Sequence, residues 1–443
     1  MSVFVRFAPS PTGRLHPGNA RAALINWLFA RKHQGKFMLR MDDTDQERSE
    51  LEYEVAIQDD LIWLGLNWDV FARQTDRLDR YRQAFDHLVK TGRLYPCYET
   101  QEELSLMRKS LSSQGRPPVY DRSALKLSDA DRLKLEAQGR KPHWRFKLDD
   151  KVVAWDDMIR GPVRFEGAHS SDPVLYRTDG LPIYTLTSVV DDGELKVTHV
   201  IRGEDHVTNT AAQVQLFEAL GFKPPKFGHF TLFTDATGHG FSKRLGSLSL
   251  INLRKEGIEA MALNSLLAKL GTSDAIEPRL SLEELVEDFG IDKFARGSPK
   301  FDDQDLLQLN AKIIHLMSFE SVQKSLIELG YDQITEAFWH SVRPNLTYIK
   351  DVAFWWSVCH GDIKTPLQDR HFIQIAKELL PQTPWDQTTW SAWTNQVKEA
   401  TGKKGKELFL PLRLALTGQE HGPELKELLP LMDRTKVLER LSA

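Results

Sequence analysis

Val3-Phe-Val-Arg-Phe-Ala-Pro-Ser-Pro-Thr-Gly-Arg-Leu-His-Pro-Gly-Asn-Ala-Arg-Ala-Ala-Leu24 is the stretch around which the chain is organised. Val3, Val5 and Phe7 alternate with Phe4 and Arg6, the period of a short strand. Pro9, Pro11 and Gly13 end it. A helix should begin next to His16. Pro17 suits its first position, where the missing N–H costs nothing, and Ala20, Ala22, Ala23 and Leu24 favour helix. A helix N-terminus after a parallel strand offers unpaired N–H donors and the positive end of the macrodipole, so it suits an anion, with His16 at its lip. The alternative is an ordinary strand-to-helix turn with a surface histidine.

A chain of 443 residues should hold at least two domains. Its 41% hydrophobic and 27% charged residues are those of a soluble protein, and no apolar run approaches the ~18 residues of a membrane helix. No export or transit signal is visible, so a cytoplasmic location is expected. Cys97 and Cys359 stand far apart, which argues against a disulfide framework or a cysteine zinc site and leaves them as packing residues. A net charge of −4 does not advertise nucleic-acid binding, so any RNA contact must use local basic surface.

Downstream, Lys36 to Met41 reads as a second strand, ending at Asp42-Asp43-Thr44-Asp45, where ligands of a βαβ unit gather. Asp43 to Asp45 could also cap the next helix. Helices are expected over Glu50–Leu64 and Thr75–Thr91. From Leu94 to about Arg177 the pattern changes to polar helices and strand-like runs at His143–Leu148, Val152–Ala154 and Val163–Phe165. The sheet is expected to resume over Leu181 to Asp192, followed by the strand Val197 to Ile201 that delivers Arg202-Gly-Glu-Asp205-His206. Gly238-His-Gly240-Phe241-Ser242-Lys243-Arg244 is a glycine-flanked basic loop suited to phosphates, although it could equally be solvated surface. After Leu248 the patterns are helical: Gly257–Leu270, Leu280–Phe289, Asp302–His315 and on to Leu441.

The run from Arg6 to Asn19 resembles the first signature of glutamyl-tRNA synthetases, which are class I aminoacyl-tRNA synthetases. His16-Pro17-Gly18-Asn19 stands where that class carries His-Ile-Gly-His. Arg202-Gly-Glu-Asp-His206 is a second match. Gly240-Phe241-Ser242-Lys243-Arg244 matches the second class signature, Lys-Met-Ser-Lys-Arg, with its first two members replaced. The likeness covers essentially the whole chain.

The resemblance implies a doubly wound, Rossmann-like catalytic domain over 1–93 and 178–240. It also implies an acceptor-stem-binding α+β insertion over 94–177, a helical stem-contact domain over 241–314, and an all-α anticodon-binding domain over 315–443. It implies ATP as substrate with Mg2+, L-glutamate and tRNA(Glu) as partners, and tRNA(Gln) as a further candidate, with neither membrane nor DNA; a monomer is expected. Related enzymes can carry a cysteine-rich zinc site in the insertion, but with Cys97 alone no structural zinc is expected here. ATP would meet Gly13, His16, Gly18, Asn19, Ser242, Lys243 and Arg244, with His16 and Lys243 catalytic. Glutamate would meet Arg6, Ser10, Asp42, Tyr184, Arg202 and Asp205. Asp42 replaces a glutamate frequent in the family. A glutaminyl-specific relative would carry a β-rich C-terminal part, and a base-modifying relative would lack the anticodon domain. A tRNA-binding homologue without catalysis is the alternative from another class. Trp355, Trp356, Trp385, Trp390 and Trp393 could stack on anticodon bases or form core, and Lys403, Lys404 and Lys406 could touch RNA phosphate or stand in solvent.

Overall fold

A computed structural model describes residues 2–167, 170–234, 248–366 and 369–442. These fall into two compact units, one of residues 1–253, 264–277 and 281–302, the other of 254–263, 278–280 and 303–443.

The first unit begins with strand β1 (Phe4–Phe7), helix α1 (Pro17–Lys32), strand β2 (Lys36–Met41), helix α2 (Leu51–Trp63), strand β3 (Val70–Arg73) and helix α3 (Leu78–Lys90). The strands pair in parallel in the order β1-β2-β3. Helix α1 starts where proline chemistry places it, with Pro17 at the first position and His16 as N-cap. It is buried almost all round, with Ala20, Ala23, Leu24, Ile25 and Leu28 inaccessible, as a helix seated on a parallel sheet must be. The carboxylates after β2 do not cap α2, whose N-cap is Glu50. Asp43 instead accepts the backbone N–H and the hydroxyl of Thr75, at 3.0 and 2.6 Å.

An inserted segment follows: β4 (Leu94–Cys97), α4 (Gln101–Ser113), α5 (Asp129–Ala137), β5 (His143–Phe146), β6 (Val152–Asp157), β7 (Gly161–Glu166) and β8 (Val174–Tyr176). Strands β4, β5 and β8 form an antiparallel sheet, and β6 and β7 a hairpin. The chain then returns through α6 (Tyr184–Glu194), β9 (His199–Gly203), α7 (Val207–Ala219) and β10 (Lys226–Phe230). Strands β9 and β10 are parallel. The start of β9 lies beside that of β1: the Thr198 N–H donates to the Phe4 carbonyl at 2.9 Å, and the Phe4 N–H to Thr198 Oγ1 at 2.8 Å. The two halves of a doubly wound sheet therefore meet at β1 and β9, and the crevice beyond their carboxyl ends is where such sheets take ligands.

The strand expected over Leu181 to Asp192 is a correction: this stretch carries helix α6. Its β-branched residues suggested a strand, but every side chain from Leu186 to Asp192 is buried, so no polar face betrays the helical period. Two of those side chains are carboxylates, and the reason is Arg40 on β2. The Arg40 guanidinium is inaccessible. It donates through Nε and Nη2 to Asp42 at 2.7 and 3.2 Å and through Nη1 to Asp192 at 2.7 Å, with Asp191 at 3.6 Å. Asp191 also accepts from Gln74, Arg77 and the Tyr81 hydroxyl. This network ties β2, α3 and α6 together beneath the crevice.

The second unit is helical, with elements including Asp303–Leu316, Phe319–Glu328, Val352–His360, Thr389–Thr401, Lys406–Thr417 and Arg434–Arg440. Trp355 and Trp393 are buried in its core, and Trp356, Trp385 and Trp390 pack against that core. Lys403 pairs with Asp369 at 2.5 Å. Cys97 and Cys359 are both buried packing residues, and burial pushes each thiol up to about 12.

Removing the Arg40 charge would strand buried carboxylates. Arg40→Met should therefore lower unfolding stability by about 3–5 kcal/mol, measured by urea titration. A change within about 1 kcal/mol would show that the network is not what fixes α6 against β2.

Candidate functional site

The crevice is lined first by the N-terminus of α1. His16 Nδ1 accepts the Gly18 N–H at 3.1 Å, and Asn19 Oδ1 accepts the His16 N–H at 3.2 Å, a reciprocal cap that closes the first turn. Because Nδ1 is an acceptor, the ring proton sits on Nε2. Burial lowers the pKa of His16, so the neutral ring with an Nε2–H donor is the form at neutral pH. A Cβ on Gly18 would lie 2.7 Å from His16 Cε1, so the glycine makes room for the capping ring as well as leaving backbone open. Nothing among the described residues stands within 4 Å of a Cβ built on Gly13, and Ser10 is exposed, whereas Pro9, Pro11 and Leu15 of the same loop are buried.

The second wall is formed by arginines at the carboxyl ends of β1 and β9. Arg6 is buried and uses its Nε alone on Asp192, at 3.2 and 3.3 Å. Arg202 is also buried. Its Nε donates to His229 Nε2 at 3.2 Å, Nη1 to the Tyr184 hydroxyl at 3.1 Å, and Nη2 to Thr210 Oγ1 and Gln213 Oε1 at 2.7 and 2.6 Å. All of these acceptors are neutral. Burial above all, and the positive charge of Arg6, lower the Arg202 pKa against the opposing effects of Tyr184 and of the Asp192 carboxylate, which makes no ion pair with it. A buried cation without a carboxylate partner is unfavourable unless an anion arrives from outside. Asp42 is turned onto Arg40, with only 4% of its side chain exposed. Asp205 is exposed on the turn after β9, its carboxylate 3.6 Å from His206 Nε2. A Cβ on Gly203 would meet Asp205 Oδ1 at 2.5 Å, so this glycine seats the carboxylate.

Arg6, Tyr184 and Arg202 are thus brought together, with His16 on the neighbouring loop. Gly240, Phe241, Ser242, Lys243 and Arg244 lie outside the described residues. Sequence reasoning missed Arg40, Asp192 and His229, which hold the arginines in place. The available signal was Asp191-Asp192 inside an otherwise apolar run, a position where unpaired carboxylates would be costly. A cavity of about 620 Å³ opens beside the crevice between β7 and helices α6 and α7, with Thr185, Thr208 and Asn209 on its wall. In the inserted segment Cys97, Glu99 and His143 bring ligand atoms within 4.8 Å of one another. Tyr120 donates to Glu99 Oε1 at 2.6 Å, and the Arg145 guanidinium lies 4.4 Å from the Tyr120 ring, a positive charge that disfavours a cation there.

Comparison with known proteins gives a consistent picture. The family described as tRNA synthetases class I (E and Q), catalytic domain, matches residues 2–308, and the family described as anticodon binding domain matches residues 360–443. A glutamate–tRNA ligase of Azospirillum brasilense is 60% identical over 100% of this chain and 99% of its own. Glutamate–tRNA ligase 1 of Parvibaculum lavamentivorans is 55% identical over 99% and 98%. The crystal structure of a glutamate tRNA ligase from Elizabethkingia meningosepticum, in complex with its amino acid, is similar with a TM-score of 0.85 and 26% identity over 100% of this chain and 99% of that one.

The cap can be separated from the Nε2–H donor. His16→Asn keeps an acceptor where Nδ1 stands and should leave stability within about 0.5 kcal/mol, whereas His16→Leu should cost about 1 kcal/mol. Thermal unfolding of the two variants checks this, and equal losses would contradict the capping role.

Proposed function

The chain belongs to the E and Q family of class I tRNA synthetases, and we propose that it ligates L-glutamate to tRNA(Glu) through a glutamyl-adenylate, consuming ATP and releasing AMP and diphosphate. The observation that carries this reading is the pair of buried guanidinium groups, Arg6 and Arg202, of which only Arg6 has a carboxylate partner among the described residues. A small dicarboxylic substrate supplies the missing anion.

In this reading the Arg6 Nη groups and Arg202, with Tyr184, hold the side-chain carboxylate of glutamate, and a planar fork suits that geometry. Ser10 and Asp205 line the approach for the amino-acid end. Asp42, already bound to Arg40, offers the ammonium group only the lone pairs that remain. ATP enters with Mg2+ on its phosphates. The α-carboxylate attacks the α-phosphate in line, and no covalent enzyme intermediate is needed, so the work of the site is placement and charge neutralisation. His16 donates Nε2–H to phosphate oxygen; the Gly18 N–H holds its ring at Nδ1, and Asn19 Oδ1 accepts the His16 backbone N–H. Gly13 and Gly18 leave the adenosine side open. Lys243 stabilises the departing diphosphate with magnesium, and Ser242 and Arg244 contact ATP.

A ribose hydroxyl of the terminal adenosine of tRNA then attacks the adenylate, with residues 94–177 holding the acceptor end. The segment over 241–314 contacts the stem, and the helices over 315–443 read the anticodon. The chain acts as a monomer in the cytoplasm.

Glutamate acceptance by purified tRNA(Glu) and tRNA(Gln), measured side by side, tests the reading. Charging of tRNA(Glu) is expected, with kcat lowered about 100-fold in both Lys243→Ala and His16→Asn. Charging of tRNA(Gln) as well would add a second substrate, and charging of neither would overturn the proposal.

A further inference from the structure

The turn that joins β6 to β7 lies in the inserted segment, yet it reaches the floor of the arginine crevice. Asp157, the last residue of β6, is inaccessible to solvent, as is His229 on β10. Asp157 Oδ2 and His229 Nδ1 are 2.5 Å apart, and Asp157 Oδ1 accepts the backbone N–H groups of Ile159, Arg160 and His229, each at 3.1 Å. The contact is anchored on both sides. The Met158 N–H donates to the Phe227 carbonyl at 2.9 Å, and Arg160 pairs with Glu204 at 2.7 Å, two residues beyond Arg202.

The protonation pattern follows from these partners. Backbone donors and His229 hold Asp157 down at about 2 in spite of burial, so it is a carboxylate and takes the proton of Nδ1. Burial lowers the pKa of His229, leaving Nε2 as a lone pair, and that lone pair faces Arg202 Nε at 3.2 Å and the Thr210 hydroxyl at 3.0 Å. Thr210 also reaches the His206 carbonyl at 3.1 Å, where its hydroxyl proton goes when Arg202 Nε donates to His229. Had a carboxylate occupied the place of His229, it would have neutralised Arg202 and competed with an incoming anion. The imidazole orients the guanidinium and leaves its charge unspent.

We propose that Asp157 and His229 are positioning residues for substrate binding: the inserted segment supplies the carboxylate that fixes the tautomer of His229, and His229 in turn aims Arg202 at the side-chain carboxylate of the amino acid. The inference rests on the glutamate-binding role of Arg202 given above. It makes the inserted segment a contributor to amino-acid affinity.

The chemistry of Asp157→Asn is specific. One carboxamide end must point its NH2 either at the three backbone donors or at His229 Nδ1, and the second choice moves the ring proton to Nε2, against the Arg202 N–H. His229→Gln can keep a carbonyl toward Arg202 and an amide toward Asp157, whereas His229→Phe keeps neither. Aminoacylation kinetics with glutamate, ATP and tRNA(Glu) each varied in turn provide the test. Asp157→Asn and His229→Phe should raise the KM for glutamate about tenfold or more with KM for ATP within about twofold, and His229→Gln should stay within about threefold of the wild type. A glutamate KM within about twofold of the wild type in both Asp157→Asn and His229→Phe would overturn the proposal, as would a parallel rise in the KM for ATP. If Asp157→Asn does not fold, the contrast between His229→Gln and His229→Phe decides, and equal glutamate KM values in those two refute it. A wild type that charges no tRNA with glutamate refutes the functional reading itself, whereas a normal wild type beside unaltered variants refutes the positioning pair alone.

Discussion

Two guanidinium groups buried in one crevice, with a single carboxylate partner between them among the described residues, set the terms for the rest of the catalytic half. Arg6 is held by Asp192, and Asp192 is shared with Arg40. Among the described residues Arg202 is held by neutral acceptors only. Burying a cation in this way is costly, and the cost is tolerated where an anion is to be bound. The parallel sheet makes the arrangement accessible, because β1 and β9 end side by side and both arginines stand at those ends.

The supporting residues come from far apart in the chain. Arg40 on β2 gathers Asp42, Asp191 and Asp192, so helix α6 is locked to the sheet by charge as well as by Leu186, Val189 and Val190. Asp157 comes from the insertion. A fold that accepts a long insertion between its halves thereby turns part of it into a support for the central crevice. The loop at His16 works by different means: a capped helix N-terminus presents a neutral donor whose tautomer is set by its own backbone contact.

The fold was legible where local rules decide it. β1, the start of α1 at Pro17 and the bounds of β2 follow from alternation, proline placement and helix formers. Arg6, Tyr184 and Arg202, which the sequence resemblance singled out, lie in one crevice. Helix α6 was not legible, because a helix buried on every side carries no period to read. The short strand β10 was missed because Gly228 interrupts it, and that glycine is there because Met158 packs against its backbone, with Cε 2.9 Å from where a Cβ would stand. His229 and Asp157 could not be paired from sequence, since they lie 72 positions apart and their meaning depends on which ring nitrogen faces which partner.

The most direct test of the account is pyrophosphate exchange in the presence of tRNA, driven by L-glutamate and, separately, by L-glutamine. The two amino acids differ only in whether the side chain carries the negative charge proposed to meet Arg6 and Arg202. A preference for glutamate of at least about 10⁴-fold in kcat/KM is the predicted result. Comparable exchange with both would contradict the claim that a guanidinium pair with one carboxylate between its two charges selects the substrate.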